Sequence, residues 1–152
     1  MAKSFSVLLP VYAGDRASWL ELSLDSVFDS NIRPNEIVIV KDGPLGKMLD
    51  AVIEKYEIKY RNLIKSVTLK ENVGLGLALA KGLECCSNEL IARMDADDIC
   101  CRNRFEKQLK VFEDNPNVSI VGSNVTEYDE SMQRILNEKI VPETDIEIKK
   151  IL

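Results

Sequence analysis

Residues 36–44 read EIVIVKDGP. The four apolar residues 37–40 leave no polar face, which is typical of a strand that is covered on both sides in a parallel sheet. Asp42 follows directly after this run and Lys41, and Gly43 and Pro44 then turn the chain. This stretch therefore predicts a central strand of an α/β fold, with an aspartate at its carboxyl end.

The same pattern recurs along the chain on both sides of this stretch. Strand-like apolar runs are separated by segments whose apolar residues recur at helical spacing. This alternation predicts an α/β fold with a Rossmann-like, mainly parallel sheet that carries helices on both faces. The other predicted strands are FSVLLPVY (5–12), LIKSVTL (63–69), ELIARM (89–94) and VSIVG (118–122).

The carboxyl ends of the predicted strands are where a ligand is expected. In open α/β sheets, ligands bind in the crevice outside these strand ends. The rule directs attention to four segments that share this edge of the sheet, namely residues 10–16, 41–44, 70–76 and 95–98.

The last of these segments is strongly acidic. Residues 93–100 read RMDADDIC, with Asp95, Asp97 and Asp98 within four residues. If the backbone is extended, Asp95 and Asp97 share one face at a separation of about 6–7 Å, and Asp98 points the other way. Such a pair favours Mg²⁺ or Mn²⁺, which bind carboxylates together with phosphate oxygens. The alternative is that the aspartates lie in solvent and one of them, Asp98, caps the following helix.

Two further features lie on the same predicted edge. Asp42 is either a ligand-binding residue or a turn aspartate that bonds its own backbone. The segment ENVGLGLALAKG (71–82) places Gly74 and Gly76 where a strand passes into a helix, and such helix N-termini attract anions. It is a weak dinucleotide fingerprint, because Leu79 stands where glycine or alanine is wanted. A simple tight turn remains the alternative.

Composition excludes several classes of function. The net charge of the 152-residue chain is −5, and no basic stripe is present, so we expect no nucleic-acid partner. No apolar run approaches the roughly 18–20 residues of a transmembrane helix, and the N-terminus lacks the layout of a signal peptide. We therefore expect a cytoplasmic protein with no transmembrane segment.

The four cysteines form two adjacent pairs, Cys85-Cys86 and Cys100-Cys101. Metal sites usually use a two-residue spacer that lets both sulfurs face one ion, so the spacing argues against zinc. Buried thiols in a reducing compartment are the favoured interpretation.

The chain is expected to contain one main domain. Residues 1–130 hold the predicted sheet, and residues 131–152 differ in character. The segment TEYDESMQRILNEKIVP (126–142) predicts a polar hairpin or an irregular excursion, and Thr144 and Glu147 form a capping-box pattern. The last predicted helix is very short at residue 152, and so short a helix is only marginally stable alone. We therefore expect the chain to be a portion of a longer protein.

Several motifs in order resemble the nucleotide-binding half of family 2 glycosyltransferases, which have the GT-A fold. The matching stretches are SVLLPVY, EIVIVKDGP, NVGLGLALAKG, RMDADD, RFEKQ and NPNVSIVGSNV. The resemblance covers roughly residues 5–128. It is strongest to bacterial enzymes that build exopolysaccharide, capsule or O-antigen units, the amylovoran-type group. Residues 1–130 would then be the nucleotide-sugar-binding core and 131–152 the start of the acceptor side.

The resemblance implies roles for residues on the base and ribose side of a nucleotide. Pro10, Val11 and Tyr12 would line the base and ribose, and Asp42 would hydrogen-bond the base, commonly uracil. Many members carry two aspartates at this strand end, where this chain has Lys41 and Asp42.

The resemblance also implies roles on the diphosphate side. Asp97, the second aspartate of the D-x-D motif, would bind Mn²⁺ or Mg²⁺ that bridges the diphosphate. Asp95 would lie near the ribose or the donor sugar. Asn72 and Gly74 would border the nucleotide pocket. Many members have asparagine in place of Ala80, a difference from which we expect less effect.

The activity implied by the resemblance is inverting transfer of a sugar from a nucleotide-sugar donor, with a UDP-sugar favoured. The acceptor would be a saccharide or lipid-linked saccharide at the inner face of the cytoplasmic membrane. A carboxylate base would take the acceptor proton. In the family it lies well after the D-x-D motif, and Glu127, Asp129 and Glu130 come too early. We therefore expect this chain to bind donor weakly and not to turn over.

Other classes of function remain open on sequence grounds. A nucleotidyltransferase could also use two carboxylates and a metal, although the loop after the first strand supplies only Arg16. A dinucleotide enzyme could use the GLG segment with Asp95 as its ribose ligand. A noncatalytic receiver domain would want a lysine after the fifth strand, where none is clear.

Overall fold

The computed structural model describes residues 4–149, apart from the side chain of Asp145. The chain divides into two compact units, Met1–Leu109 and Lys110–Leu152. The predicted boundary near residue 130 between a donor-side core and an acceptor-side region stays a prediction, because compactness does not assign a function to either part.

The first unit is built from four parallel strands and four helices. The strands are β1 (Phe5–Tyr12), β2 (Glu36–Asp42), β3 (Ile64–Thr68) and β4 (Leu90–Arg93); the helices are α1 (Ala17–Phe28), α2 (Lys47–Lys59), α3 (Leu75–Leu83) and α4 (Arg104–Asp114), which ends beyond the unit boundary. The strand order is β3-β2-β1-β4, and every neighbouring pair is parallel. The predicted α/β fold with a mainly parallel sheet is confirmed.

The sheet is buried on both faces, as the continuous apolar runs predicted. Val7, Leu9 and Val11 of β1 point into a core that also contains side chains of α1, α2 and α4. Leu8 points to the opposite face, where it packs with β2 side chains and Ala78 of α3. Helix α3 therefore covers one face of the sheet, and α1, α2 and α4 contribute to the cover of the other.

Helix α3 lies unusually close to the sheet because of Gly82. A Cβ at this position would overlap Leu8 Cδ1 and would lie 2.6 Å from Val40 Cγ2. The helix backbone can therefore approach β1 and β2 only where no side chain intervenes.

Gly82→Ala is expected to lower the free energy of unfolding by about 1–3 kcal/mol, because the added methyl overpacks a filled interface. Gly76→Ala in the same helix is the matched control. A Cβ at Gly76 meets nothing within 4 Å, so alanine there should stabilise by about 0.5–1 kcal/mol. Urea denaturation measures both values; a Gly82→Ala protein as stable as the unmodified one would contradict the close-packing argument.

The second unit contains an antiparallel hairpin, β5 (Val125–Tyr128) with β6 (Ile135–Lys139), and the short helix α5 (Asp145–Ile148). The predicted hairpin is confirmed. The predicted capping box is also confirmed, since the Thr144 N–H donates to Glu147 Oε2 at 3.2 Å and the Glu147 N–H donates to Thr144 Oγ1 at 3.3 Å.

The predicted fifth strand at residues 118–122 is wrong. These residues form no strand, and the first strand after α4 begins at Val125. Ile120 is 88 % exposed, and the hairpin strands of this unit are themselves mostly exposed. An apolar run forms a buried strand only where other helices or strands pack against it. Among the described residues of this unit, no such layer packs over residues 118–122.

Among residues 4–149, no helix is both long and apolar enough to cross a bilayer. All four cysteines are free thiols. Cys100 is buried as predicted, but Cys101 is exposed and Cys85 and Cys86 are half-buried. The interpretation of all four as buried thiols is thus correct only for Cys100, because adjacent residues in an irregular segment point in different directions.

Candidate functional site

All four predicted segments lie at one edge of the sheet, and residues 73 and 74 of the segment after β3 bond Asp42 at the end of β2. Tyr12 is the register partner of Asp42, so β1 and β2 end side by side. Strand β4 lies on the other side of β1, with Arg93 opposite Leu8, and the Met94 N–H bonds to Leu8 O at 3.0 Å. The acidic segment therefore begins beside the last residues of β1, as the sheet rule predicted.

The end of β1 presents one exposed aromatic ring. Pro10 and Val11 are buried, and Val11 belongs to the core, so these two residues can border a ligand mainly through their backbone. Tyr12 is 50 % exposed. Its ring lies over Gly14, where a Cβ would come within 2.6 Å of the ring Cζ and the hydroxyl oxygen. Gly14 thus leaves the space in which the Tyr12 ring lies.

The loop after β1 also contains a carboxylate that the sequence reasoning did not single out. Asp15 Oδ2 accepts the Tyr12 N–H at 2.9 Å, and the Asp15 N–H returns to Tyr12 O at 3.0 Å. Partial burial, with the negative charges of Asp97 and Asp95, raises the pKa of Asp15 against the lowering effect of the Tyr12 N–H. Its position at the carboxyl end of β1 was the available signal.

The carboxylate of Asp42 is nearly buried, at 4 % exposure. Its Oδ1 accepts the Val73 N–H at 2.8 Å, and its Oδ2 accepts the Gly74 N–H at 3.1 Å. The Asn72 side chain donates to the Asp42 carbonyl at 3.4 Å. The turn alternative for Asp42 is therefore wrong, because its carboxylate bonds the backbone of a loop 31 and 32 residues away in sequence.

The segment 95–98 is a turn, which corrects the prediction of an extended backbone. Ala96 and Asp97 occupy the turn, and the Asp98 N–H donates to Asp95 O at 3.2 Å. Asp95 O also accepts the hydroxyl of Ser23, a buried residue of α1, at 3.0 Å. These bonds hold the backbone in a bend that side-chain alternation alone could not predict.

The three aspartates of this turn have different surroundings. Arg93 holds Asp95 by a bidentate ion pair, with Nη2 at 2.8 Å from both carboxylate oxygens. Partial desolvation, with the charges of Asp95 and Asp97, raises the pKa of Asp98. Within residues 4–149, Asp97 is exposed and its carboxylate has no hydrogen-bond or ion-pair partner. The alternative, in which Asp98 caps the following helix, is wrong, since α4 begins only at Arg104.

Arg104, at the start of α4, holds the backbone at the end of β4, just before the acidic turn. This role was also not predicted from the sequence. Its Nη2 donates to Arg93 O at 2.8 Å, and its Nε donates to Gln108 Oε1 at 3.2 Å. The guanidinium therefore joins the end of β4 to the first turns of α4. The RFEKQ stretch contains both Arg104 and Gln108, but its sequence pattern does not reveal which residue makes the contact with β4.

The residues that the structure describes contain no cluster of three or more His, Cys, Asp or Glu side chains arranged to hold a metal ion. A cation at this edge would therefore take few protein ligands. That arrangement fits Mg²⁺ and Mn²⁺, which are often held by one or two carboxylates and by substrate phosphates. Asp97 has the chemistry and the exposure for such a ligand.

Comparison with known proteins identifies the family. Residues 6–151 match the family model described as glycosyl transferase family 2. The chain is 40 % identical over 144 residues to the amylovoran biosynthesis glycosyltransferase AmsE of Erwinia amylovora, covering 93 % of this chain and 53 % of the relative. It is 39 % identical over 125 residues to an Escherichia coli UDP-Gal:alpha-D-GlcNAc-diphosphoundecaprenol beta-1,3-galactosyltransferase, covering 82 % and 45 %. The chain thus spans about half the length of these relatives.

Solved structures agree on the fold. The mannosyltransferase PcManGT of Pyrobaculum calidifontis, in complex with GDP-Man and Mn²⁺, superposes with a TM-score of 0.68 at 19 % identity, covering 88 % of this chain and 37 % of that one. Staphylococcus aureus TarS 1-349 in complex with UDP-GlcNAc gives 0.63 at 23 % identity, covering 74 % and 32 %. These neighbours are GT-A glycosyltransferases, and the parallel α/β sheet described above matches theirs. The chain belongs to glycosyl transferase family 2.

Proposed function

We propose that this chain is the donor-binding portion of an inverting, divalent-metal-dependent glycosyltransferase that uses a nucleotide-sugar, with a UDP-sugar favoured. One observation carries the proposal. The exposed Tyr12 ring, the loop held by Asp42 and the turn that carries Asp97 all lie at carboxyl ends of neighbouring parallel strands. That edge is where an α/β sheet receives a nucleotide.

The base and ribose would lie on the β1 and β2 side of this edge. The Tyr12 ring would contact the base or ribose, and the backbone of Pro10 and Val11 would border the same position. Asp42 belongs to this side of the pocket, and the loop with Asn72 and Gly74 forms its border. The preference for UDP rests on the E. coli relative that is named as using UDP-Gal.

The diphosphate would lie on the β4 side, beside Asp97. The exposed carboxylate of Asp97 would hold Mn²⁺ or Mg²⁺ together with oxygens of the diphosphate. When bound, the cation would supply charge stabilisation for the departing nucleoside diphosphate. Asp95, held in place by Arg93, would face the ribose or the donor sugar.

The general base is not assigned to any of the carboxylates in the second unit. Hydrogen bonds from the side chains of Lys139 and Asn137 lower the pKa of Glu127. Hydrogen bonds from the backbone of Arg134 and the hydroxyl of Ser131 lower the pKa of Asp129 against slight desolvation. A carboxylate with a lowered pKa is a poor proton acceptor. We expect this chain to bind donor without transferring sugar.

The acceptor would be a growing polysaccharide or a lipid-linked saccharide, reached by the whole protein at the inner face of the cytoplasmic membrane. This proposal rests on the two bacterial relatives, one named for amylovoran biosynthesis and one for a diphosphoundecaprenol-linked acceptor. The full-length protein would associate with the membrane peripherally.

Isothermal titration calorimetry with UDP, GDP and NAD, each with and without Mn²⁺, tests the proposal. We expect UDP to bind only weakly without Mn²⁺, and binding to strengthen when Mn²⁺ is added. Stronger binding of GDP than of UDP would overturn the donor preference. Metal-independent binding of NAD would instead support a dinucleotide enzyme.

Gly14→Ala is expected to weaken Mn²⁺–UDP binding about fivefold, because the new methyl displaces the Tyr12 ring and a base–aromatic contact is worth about 1–3 kcal/mol. The loss of stability should be small, since the ring can swing into solvent. Gly122→Ala is the control, because a Cβ there meets nothing within 4 Å. Unchanged UDP affinity in Gly14→Ala would show that the Tyr12 ring does not contact the nucleotide.

A further inference from the structure

The inner face of α1 carries two serines beside the segment that joins β4 to α4. Ser23 is fully buried and Ser26 is half-buried. They are three residues apart in sequence and therefore share one face of the helix. A serine hydroxyl on a buried helix face needs a hydrogen-bond partner, because an unpaired polar group is costly away from water. We call Ser23 and Ser26 the α1 serine pair.

The α1 serine pair bonds the backbone at both ends of the acidic segment, residues 95–100. The Ser23 hydroxyl donates to Asp95 O at 3.0 Å. The Ser26 hydroxyl accepts the Cys100 N–H at 2.9 Å and donates to Ser23 O at 2.7 Å. These contacts join residues that are 72 and 74 positions apart in sequence. One helix therefore holds the segment at its first and its last residue.

The acidic segment is also anchored by its inward side chains. Ala96 and Cys100 are buried, both at 4 % exposure, in the core to which α1 contributes. Asp97 is exposed, and its carboxylate makes no hydrogen bond or ion pair within residues 4–149. The place of this carboxylate is therefore set by the backbone of the segment, since no contact of its own fixes it.

A metal site whose ligand is placed by the backbone is sensitive to the contacts of that backbone. Loss of a group that orients a metal ligand typically costs about 10–100-fold in metal affinity. The hydroxyls of the α1 serine pair are groups of this kind, because they bond the backbone that carries the proposed ligand Asp97.

We propose that Ser23 and Ser26 are positioning residues, which raise the affinity of the donor site for its divalent cation by holding both ends of the segment that carries Asp97. This inference rests on the proposed function, since it concerns the same cation. It makes the buried face of α1 a part of the protein on which the cation site depends.

Ser30 provides the matched control on the same helix. It is buried, and its hydroxyl donates to Ser26 O at 3.1 Å and lies 3.8 Å from Cys100 Sγ. Neither contact involves the backbone of the acidic segment. Ser30→Ala therefore removes a hydroxyl from α1, as Ser26→Ala does, while both backbone bonds of the α1 serine pair remain.

The first test measures the hold on the acidic segment in the absence of any ligand. The Asp98 N–H closes the turn by donating to Asp95 O at 3.2 Å. Amide hydrogen exchange of Asp98, followed by NMR, should be about fivefold faster in Ser26→Ala, because the segment loses its bond at Cys100. The exchange should be unchanged in Ser30→Ala. Equal exchange in Ser26→Ala and the unmodified protein, or an equal acceleration in Ser30→Ala, would overturn the inference.

The second test measures the Mn²⁺ affinity of the protein–UDP complex, with free Mn²⁺ followed by electron paramagnetic resonance. Ser23→Ala and Ser26→Ala should each weaken Mn²⁺ binding about tenfold, and Ser30→Ala should not. The weak binding of UDP without Mn²⁺ should be the same in all of these proteins, because the serines act on the cation site alone. Unchanged Mn²⁺ affinity in both variants of the pair, or UDP binding that is weakened equally with and without Mn²⁺, would overturn the inference.

Ser26→Thr separates the hydroxyl from the packing of α1. A threonine hydroxyl inside a helix can bond the carbonyl three residues earlier, as Ser26 bonds Ser23 O, and can still accept the Cys100 N–H. Its Mn²⁺ affinity should therefore lie within about twofold of that of the unmodified protein. A loss as large as that in Ser26→Ala would assign the effect to packing and would contradict the positioning role.

The two tests separate the α1 serine pair from the proposed function. If the unmodified protein binds no Mn²⁺ in the presence of UDP, the proposed function fails and the positioning role fails with it, while the exchange of Asp98 still decides whether α1 holds the segment. Near-UV circular dichroism of every variant checks the fold, so that a change in Mn²⁺ affinity is assigned only to folded protein.

Discussion

Asp97→Ala is expected to abolish the Mn²⁺-dependent part of UDP binding and to leave the fold intact. The carboxylate of Asp97 is exposed and makes no hydrogen bond or ion pair within residues 4–149, so its removal breaks no contact that stabilises the protein. Loss of an outer-shell partner already costs a metal site about 10–100-fold in affinity. Loss of the proposed ligand itself should cost about a hundredfold, measured as the Mn²⁺-dependent change in the UDP dissociation constant.

Asp98→Asn is the matched control for this prediction. Asp98 has the same charge and lies in the same acidic segment, yet partial desolvation and the neighbouring carboxylates raise its pKa. Neutralising it should preserve the Mn²⁺ dependence. Two results would count against the assignment of Asp97. UDP binding by Asp97→Ala that equals that of the unmodified protein would remove Asp97 from the metal site, and a larger loss in Asp98→Asn would move the ligand to Asp98.

The four strands of the sheet were predictable because they are short apolar runs, a pattern that can be recognised from neighbouring residues alone. Residues 37–40 have the pattern of a strand covered on both faces, and the neighbouring elements were predicted from the alternation of strand and helix periods. The run at 118–122 has the same local pattern and forms no strand. The local pattern shows which side chains of a segment could be buried. Whether other helices or strands pack over that segment depends on the whole fold.

The site was predictable in position and only partly in geometry. The sheet rule placed Asp42 and Asp97 at one edge, but the bend at Asp97 depends on Ser23, which is 72 residues from Asp95 in sequence. The bonds from the Val73 and Gly74 N–H groups to Asp42 also join remote segments, 31 and 32 residues apart in sequence. Hydrogen bonds between remote segments leave no periodic trace in one sequence, so neither the turn at Asp97 nor the contacts of Asp42 could be derived from spacing.

Gly43→Ala is expected to produce the largest loss of stability among single glycine substitutions in this chain. Two penalties add. A φ of +84° costs an alanine about 1–2 kcal/mol, and the Cβ would lie 2.6 Å from a backbone nitrogen that has no rotamer by which to move away. Overpacking of this kind costs about 1–3 kcal/mol more. The sum of about 3 kcal/mol is a large share of the roughly 5–15 kcal/mol that stabilises a domain.

Gly46→Ala separates the two penalties. Gly46 has φ +94° and ψ 159°, but a Cβ there meets nothing within 4 Å, so alanine carries only the conformational cost of this backbone region, about 1–3 kcal/mol. Urea denaturation should therefore rank Gly43→Ala below Gly46→Ala. Equal losses at the two positions would show that the backbone contact with Asn72 is not what requires glycine at position 43.

The same substitution tests whether the contact between Gly43 and residues 71–74 also affects the proposed donor pocket. In Gly43→Ala the clash pushes residues 71–74 away from β2, while Asp97 and the acidic turn are untouched. Below its melting temperature the variant should therefore bind Mn²⁺–UDP more weakly than Gly46→Ala does. If Gly43→Ala loses stability but keeps the UDP affinity of Gly46→Ala, the loop supports the fold and has no part in donor binding. If stability and UDP affinity both fall, Gly43, the residue after β2, supports both the fold and the site through its contact with the Asn72 backbone.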